Sequence, residues 1–395
     1  MPSPFLEHWG LDRAVNFLNH GSFGACPLSV LEYQSTLRTR MERQPVQFFL
    51  RDIYELIDEA RGHLAHFVGA PASNLVFVRN ATAGINAVFR SLALQAGDEI
   101  LVTNHGYPAC KNVVDHVAKN YGARVVIADI GFANLTPERV HESIFKCVSN
   151  RTKIALIDHV TSPTGIVLPI ETLVPAFESI GVMTLVDGAH GPGMLNLSIA
   201  ELSPSFYVGN LHKWVCAPKG AAFLYLRPDR MEGIHPAIIS HGYALDGKVP
   251  GRSAHHLEFD WTGTQDPTAW LCVPQAINFM DQLYEGGWPA IRNRNRQLVL
   301  QARNHLAEVL GVEVPTSDDM IGHLAALPLP PSHEPVSHLY GTPFQDRLLN
   351  EFGIEVPIVP WPETPHRLVR VSAALYNDLS DYVALGKALE VSLPC

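Results

Sequence analysis

The chain has 395 residues, 47% of them hydrophobic and 17% charged, with a net charge of −10 when histidine is neutral. That length and apolar content exclude a disordered tail or a disulfide miniprotein, and the acidic balance without any Lys/Arg block argues against a nucleic-acid scaffold or a polybasic membrane anchor. One compact core stops growing at roughly 250–300 residues, so a large domain with a smaller companion is expected.

The opening MPSPFLEHWG has no basic stretch ahead of an apolar one, and no apolar run approaches the ~18 residues of a membrane span, which points to a cytoplasmic protein. The six cysteines (Cys26, Cys110, Cys147, Cys216, Cys272, Cys395) form no Cys-x-x-Cys and fit a reduced compartment. Residues 1–27 read as an N-terminal arm, 28–270 as the large domain and 271–395 as a small α+β domain. From about residue 28 to 227, helical stripes alternate with short β-branched runs, the pattern of a mostly parallel sheet covered by helices. Ile53, Leu56, Ile57, Ala60, Leu64 and Phe67 recur at helical spacing before Gly69. Strands are predicted at Leu75–Val78, Ile100–Val102, Arg124–Ala128, Lys153–Ile157, Val182–Val186, Ser205–Val208 and Ala222–Leu226, with helices near 82–95, 108–120, 137–148 and 170–180. The last three strands leave little room for helices between them, so the sheet is expected to be mixed or antiparallel at an edge. Residues 228–268 show no clear period and read as a long loop or crossover. Helices then follow near 269–284 and 289–310, a Pro-rich turn at 328–335, a helix at 343–351, strands at 354–359 and 367–372, and a last helix at 379–391.

Ligands in open α/β sheets bind beyond the carboxyl ends of the strands, so polar residues directly after apolar runs are the first candidates. Three such exits are Asp187-Gly188-Ala189-His190, Asp158-His159-Val160-Thr161-Ser162-Pro163-Thr164-Gly165, and Gly209-Asn210-Leu211-His212-Lys213-Trp214. Lys213 is one of only eight lysines and has an Asn, a His and a Trp for neighbours. A lysine in a partly desolvated site is a nucleophile for carbonyls; the plain alternative is an edge lysine lying over Trp214. Asp187 reads either as a turn former or as a functional carboxylate. Together a Schiff-base lysine and a carboxylate for a pyridinium nitrogen are what pyridoxal phosphate requires. Asn80-Ala81-Thr82-Ala83-Gly84 follows a strand and opens a helix, so it is either an anion-gripping N-terminus or an ordinary cap.

These motifs converge on a family. Gly209-Asn210-x-His212-Lys213-Trp214, Asp187-Gly-Ala-His190 and Asn80-Ala-Thr82 resemble the class V aminotransferase-like enzymes of the pyridoxal-phosphate fold type I superfamily, and within it the isopenicillin N epimerase group. Supporting stretches run from Leu18-Asn-His-Gly-Ser-Phe-Gly24 through Trp261-Thr-Gly-Thr-Gln-Asp266 to Val369-Arg-Val-Ser-Ala-Ala-Leu-Tyr-Asn377. The resemblance implies a fold type I transferase with a seven-stranded sheet and pyridoxal 5'-phosphate as cofactor. It implies that Lys213 forms the Schiff base and moves the Cα proton of an amino-acid substrate, that Asp187 pairs with the ring nitrogen, and that His190 reaches the ring hydroxyl. Tyr107 would stack on the ring, His105 being the lesser candidate. Ala81, Thr82 and His212 would hold the phosphate, with Asn210 and Ser162 among the cofactor contacts, and Thr264 would reach the phosphate of a neighbouring subunit in a homodimer with shared sites. Arg370 would clamp the substrate carboxylate beside Asn19, Ser162 and His20. Asn210 replaces the Ser or Thr of many cysteine desulfurases, and Gly106 stands where much of the family has Glu.

The protein decides the fate of the carbanion that such a cofactor stabilises. Between Val273 and Pro394 there is no cysteine for a loop persulfide, which leaves only Cys395 in the tail. A C–S β-lyase for cysteine, cystine or a cysteine conjugate needs no such thiol. An epimerase needs a second proton donor, for which Tyr107, His20 and Tyr243 are candidates; a transaminase outcome stays open. Two further readings are a dinucleotide-binding oxidoreductase, from Gly188-x-x-Gly191-x-Gly193, and a metal hydrolase, from His255-His256; neither has the required spacing.

Overall fold

The computed structural model describes residues 3–245, 248–249, 251–335 and 341–393; Cys395, the candidate tail thiol, lies outside them. The chain opens with a short strand, β1 (Asn16–Phe17), and then builds a seven-stranded sheet from β2 (Leu75–Val78), β3 (Glu99–Thr103), β4 (Arg124–Ala128), β5 (Thr152–Asp158), β6 (Met183–Asp187), β7 (Phe206–Asn210) and β8 (Ala222–Leu226). Their order is β2-β8-β7-β6-β5-β3-β4. Every pairing is parallel except those of β8, which runs antiparallel to both β7 and β2. The reversed strand is thus one in from the edge, because β2 closes over its outer side.

Strand alternation explains the layering. On β2, Leu75 and Phe77 face one side of the sheet with Ala155, Ile157, Val186 and Tyr207 from neighbouring strands. That face is covered by the helices Leu28–Arg43, Ile53–Val68, Ile170–Ser179 and Val273–Leu283. Val76 and Val78 face the other side with Ile154, Leu156, Leu185 and Val208, under the helices Ala81–Ser91 and Pro108–Tyr121. A strand buried on both faces has to be apolar throughout, which is why these runs lack polar alternation.

The C-terminal part contains β9 (Leu324–Leu329), β10 (Ile354–Glu355), β11 (Ile358–Pro360) and β12 (Arg367–Ser372). Strands β11, β12 and β9 form an antiparallel sheet in that order, packed against the helices Gly287–Leu310 and Leu379–Ser392. β9 was hidden in the sequence behind its Pro328, which a central strand would not accept; β9 lies at the edge, where a missing N–H costs nothing. The expected strand at 354–359 is two strands separated by Pro357, with β10 paired to β1 and β11 to β12. The expected loop at 228–268 contains the helix Ala254–Asp260, held by a buried ion pair in which both Asp260 oxygens accept from Arg61, at 2.5 and 2.7 Å.

Candidate active site

Because β2, β5, β6 and β7 run in one direction, their carboxyl ends deliver Asn80, Asp158, Asp187 and Asn210 to one rim of the sheet. Asp158 and Asp187 are register partners on adjacent strands. Asp187 accepts the backbone N–H of Ala189 at 3.0 Å on Oδ1 and the thiol of Cys110 at 3.3 Å on Oδ2. Both carboxyls, Cys110 and Tyr107 line one small cavity of about 10 Å³. Burial, and then the Asp187 charge, push Asp158 well above the ordinary carboxylate range; burial also raises Asp187, offset by the Ala189 and Cys110 donors and by Lys213.

Lys213 follows β7 by three residues. Its Nζ lies 3.2 Å from Nε2 of His190, and Nδ1 of His190 accepts the indole N–H of Trp214 at 3.2 Å. Burial, reinforced by the Arg370 charge, lowers Lys213 to about 7, and burial holds His190 well below its usual value. The plain reading of Lys213 as an edge residue lying over Trp214 is therefore wrong: the amine is turned into the interior toward His190.

Arg370, on β12, is buried; it donates from Nη1 to the Ser162 carbonyl and from Nη2 to the Ser22 hydroxyl at 2.9 Å, while its Nε is buried without a partner. Ser22 in turn donates to Asn19 at 2.5 Å, and Asn19 to Glu355 at 3.0 Å. Burial pulls Arg370 down to about 10. Asn80 caps the helix Ala81–Ser91 by accepting from the Ala83 N–H at 2.8 Å, and Asn210 accepts from the Ala81 N–H at 2.9 Å. Two of the first amides are thus already engaged. Thr82, half-buried, brings its N–H and hydroxyl to this end; the partly buried His212 has its Nδ1 3.4 Å from the Ala221 carbonyl.

The remaining candidates sit around this cluster or at the surface. His20 is fully packed, with Nδ1 at 2.6 Å from the Tyr376 hydroxyl and Nε2 at 3.0 Å from the Lys213 carbonyl, so both ring nitrogens are engaged and Nε2 supports the backbone of the lysine. His105 is buried between Thr164 at 2.8 Å and the Ile130 carbonyl at 2.9 Å, with the Trp361 ring 4.5 Å away. Thr264 is exposed, on a segment tied down by Arg79 donating to Gln265 at 2.9 Å. Tyr243 is 58% exposed beside His235. Cys110 stands in none of the motifs read from the sequence, and Asp158 and Ser22 stand there without a role, Asp158 as the first residue of a strand exit and Ser22 within the stretch Leu18–Gly24. Cys110 is one helical turn beyond Tyr107 and Asp158 ends a strand in register with Asp187, both readable signals, whereas Ser22 carries none.

The glycines of the dinucleotide-like run serve packing. A Cβ on Gly188 would strike the Tyr207 ring at 2.2 Å and one on Gly191 the Tyr207 hydroxyl at 2.3 Å, while one on Gly193, with φ +83°, would meet the Trp214 backbone at 2.6 Å. No helix starts directly after them to receive a pyrophosphate. His255 and His256 each bring Nε2 to a backbone carbonyl, at 2.9 and 3.1 Å.

A buried amine, an adjacent buried carboxylate, an anion-facing helix start and a buried guanidinium with an unpaired Nε together match the aldehyde, ring nitrogen and phosphate of pyridoxal phosphate and the carboxylate of its amino acid. The family comparison agrees: the description "Aminotransferase class-V" matches residues 29–335. Isopenicillin N epimerase of Amycolatopsis lactamdurans is 33% identical over 97% of this chain and 96% of its own. An Arabidopsis thaliana protein named "Probable L-cysteine desulfhydrase, chloroplastic" is 29% identical over 98% and 84%. A solved cystine C–S lyase, in complex with cysteine persulfide, has the same fold, with a TM-score of 0.77 at 20% identity over 96% and 98%. The chain belongs to the aminotransferase class-V family of pyridoxal-phosphate-dependent enzymes.

Proposed function

We propose that this protein is an amino-acid epimerase of the isopenicillin N epimerase type, working by removal and return of the substrate Cα proton. The observation that carries the reading is the Lys213–His190–Trp214 chain, which, with burial lowering Lys213 to about 7, favours an amine that sheds its proton near neutral pH. When bound, pyridoxal phosphate supplies an electron sink for negative charge at Cα. Lys213 Nζ would hold the aldehyde and then act as the base on one face. Asp187 would pair with the ring nitrogen and His190 would reach the ring hydroxyl. Tyr107 would stack on the ring. Thr82, Ala81, His212 and Asn210 would hold the phosphate, with Ser162 among the cofactor contacts. Arg370, backed by Ser22 and Asn19, binds the substrate carboxylate through its free Nε edge, a geometry that a planar carboxylate matches. Exposed Thr264 completes the phosphate site of a second copy, so the working unit is a homodimer, and its place is the cytoplasm.

A second reading is a C–S β-lyase acting on cysteine, cystine or a cysteine conjugate. It is favoured by a specific observation: His20 has both nitrogens engaged and Tyr243 is largely exposed, which leaves Tyr107 as the opposite-face donor of an epimerase, and a lyase needs none. The relatives named for L-cysteine desulfhydrase support it as well. Incubation with cysteine, cystine and larger amino acids in deuterated water separates the two. Solvent deuterium at Cα with inverted chirality supports the epimerase; pyruvate with sulfide or a persulfide supports the lyase. A colourless protein, or a visible band that survives in Lys213→Ala, sinks both.

A further inference from the structure

The fold treats its buried carboxylates unequally. Asp260 is given a bidentate guanidinium, Arg61, to hold its charge. Asp158, equally buried at the carboxyl end of β5, is given no such partner. Its neighbour across the sheet is another carboxylate, Asp187, one strand spacing away and on the same face, since both follow leucines (Leu156 and Leu185) that pack in the same layer. Two ionised carboxylates cannot share so small and dry a space.

The remaining walls of that space tell which member carries charge. Asp187 has the donors a carboxylate needs: the Ala189 N–H, the Cys110 S–H, and Lys213 nearby. Asp158 accepts backbone N–H groups, its own and that of Tyr107, but among the described residues no cation acts on it; Thr103, whose hydroxyl is buried without a partner, lines the same cavity. The groups facing the pair are Asp158 and Asp187 themselves, Cys110 and Lys111 from the helix Pro108–Tyr121, Tyr107 at its cap, and Thr103 at the end of β3. Among the described residues the one cation acting on them is Lys213, and it acts on Asp187.

We propose that Asp158 is a positioning residue that carries a proton beside Asp187, so that the pair presents one negative charge, seated on Asp187, to the ring nitrogen of the cofactor. The proposal rests on the reading of Asp187 as the partner of that nitrogen. Asp158 touches no reacting atom. It fixes the charge and orientation of the residue that does, and because its own form is neutral, an amide of the same shape replaces it. Burial and the Asp187 charge, which both push Asp158 toward its acid form, agree with this assignment.

The experiment compares wild-type holoenzyme with Asp158→Asn. The infrared difference spectrum at neutral pH is expected to contain the C=O band of a protonated carboxylic acid, shifted by deuterium exchange, and to lose it in the variant. The visible cofactor band of Asp158→Asn is expected to titrate with pH within about one unit of wild type. Ionised-carboxylate bands alone in the difference spectrum would overturn the proposal, as would a titration shift of about one unit or more, the signature of a removed charge. Should Asp158→Asn fail to fold, Asp158→Ser gives the same infrared difference. Repeating the infrared measurement on the full chain stripped of cofactor tests the shared proton independently of what Asp187 faces, so its failure is distinct from that of the functional reading.

Discussion

Nε2 of His190 lies 3.2 Å from Nζ of Lys213 while its Nδ1 accepts the indole N–H of Trp214, also at 3.2 Å. An indole nitrogen can only donate, so Nδ1 must present its lone pair. A neutral imidazole then carries its proton on Nε2, and burial keeps this imidazole neutral. The Nε2–H points at an amine that can accept it only if the amine has lost its own extra proton. The hydrogen-bond chain and the electrostatics of burial thus arrive independently at an uncharged, nucleophilic Lys213.

The first consequence is a pH profile. The rate at which the cofactor-free chain condenses with pyridoxal phosphate should rise with pH and level off above about 7, the value to which Lys213 is lowered from 10.5. Arg370→Ala removes a positive charge that lowers Lys213, so its midpoint should move up; Asp187→Asn removes a charge that raises it and should move the midpoint down. Growth of the visible band after rapid mixing measures all three, and a wild-type midpoint near 10.5 refutes the neutral amine.

Trp214→Phe isolates the tautomer. Without the indole donor, Nδ1 of His190 is free to take the proton, and Nε2 becomes an acceptor for a charged lysine. The condensation midpoint should rise toward the ordinary lysine value although the charge near Lys213 is unchanged. A midpoint unmoved by this substitution would mean that the Trp214 contact is packing alone.

The large sheet was legible because its central strands are buried on both faces and so stand out as unbroken apolar runs. The candidate residues that follow such runs, Asp187, His190, Asn210 and Lys213, stand out for the same reason, and the structure brings them to one rim of the sheet or just beyond it. What escaped was set by tertiary pairing. β9 carries Pro328 and becomes a strand only because β12 offers it an edge. His20 looked like a substrate residue, and its support of the Lys213 carbonyl depends on the N-terminal arm crossing the lysine loop. Gly24 permits that crossing, with φ +69° and no room for a Cβ within 2.1 Å of the His212 carbonyl oxygen. Cys110 donates to Asp187 on β6 from the helix Pro108–Tyr121: its place one turn beyond Tyr107 is readable, but the pairing across a separation of 77 is not.

Gly84 tests how closely the helix Ala81–Ser91, proposed to hold the phosphate, must approach the sheet. A Cβ at this position would sit 2.7 Å from Cγ1 of Val208, a stiff β-branched side chain on β7. Gly84→Ala should therefore push the start of the helix away from β7 and cost about 1–3 kcal/mol by overpacking, against the small gain that alanine brings to a helix interior. Cofactor affinity should fall along with the urea midpoint, because the same movement separates Ala81 from Asn210. Stability lost with affinity retained would detach the helix position from phosphate binding.

Acid stability follows from the buried histidines. His20, His159 and His323 are each lowered by burial from 6.5 to about 3. Below about 6.5 the unfolded chain binds protons that the folded chain refuses, so the stabilisation is complete above that pH and is lost progressively as pH falls toward about 3. At pH 5 each such residue costs about 2 kcal/mol relative to neutral pH. His323 offers the cleanest test, since its Nε2 lies 3.1 Å from the Arg292 carbonyl and its Nδ1 is buried without a partner. His323→Gln keeps a donor for that carbonyl but cannot take up a proton. Urea unfolding of the variant should therefore lose about 2 kcal/mol less than wild type between pH 7 and pH 5. Equal losses in the two proteins would show that His323 is not buried in its neutral form.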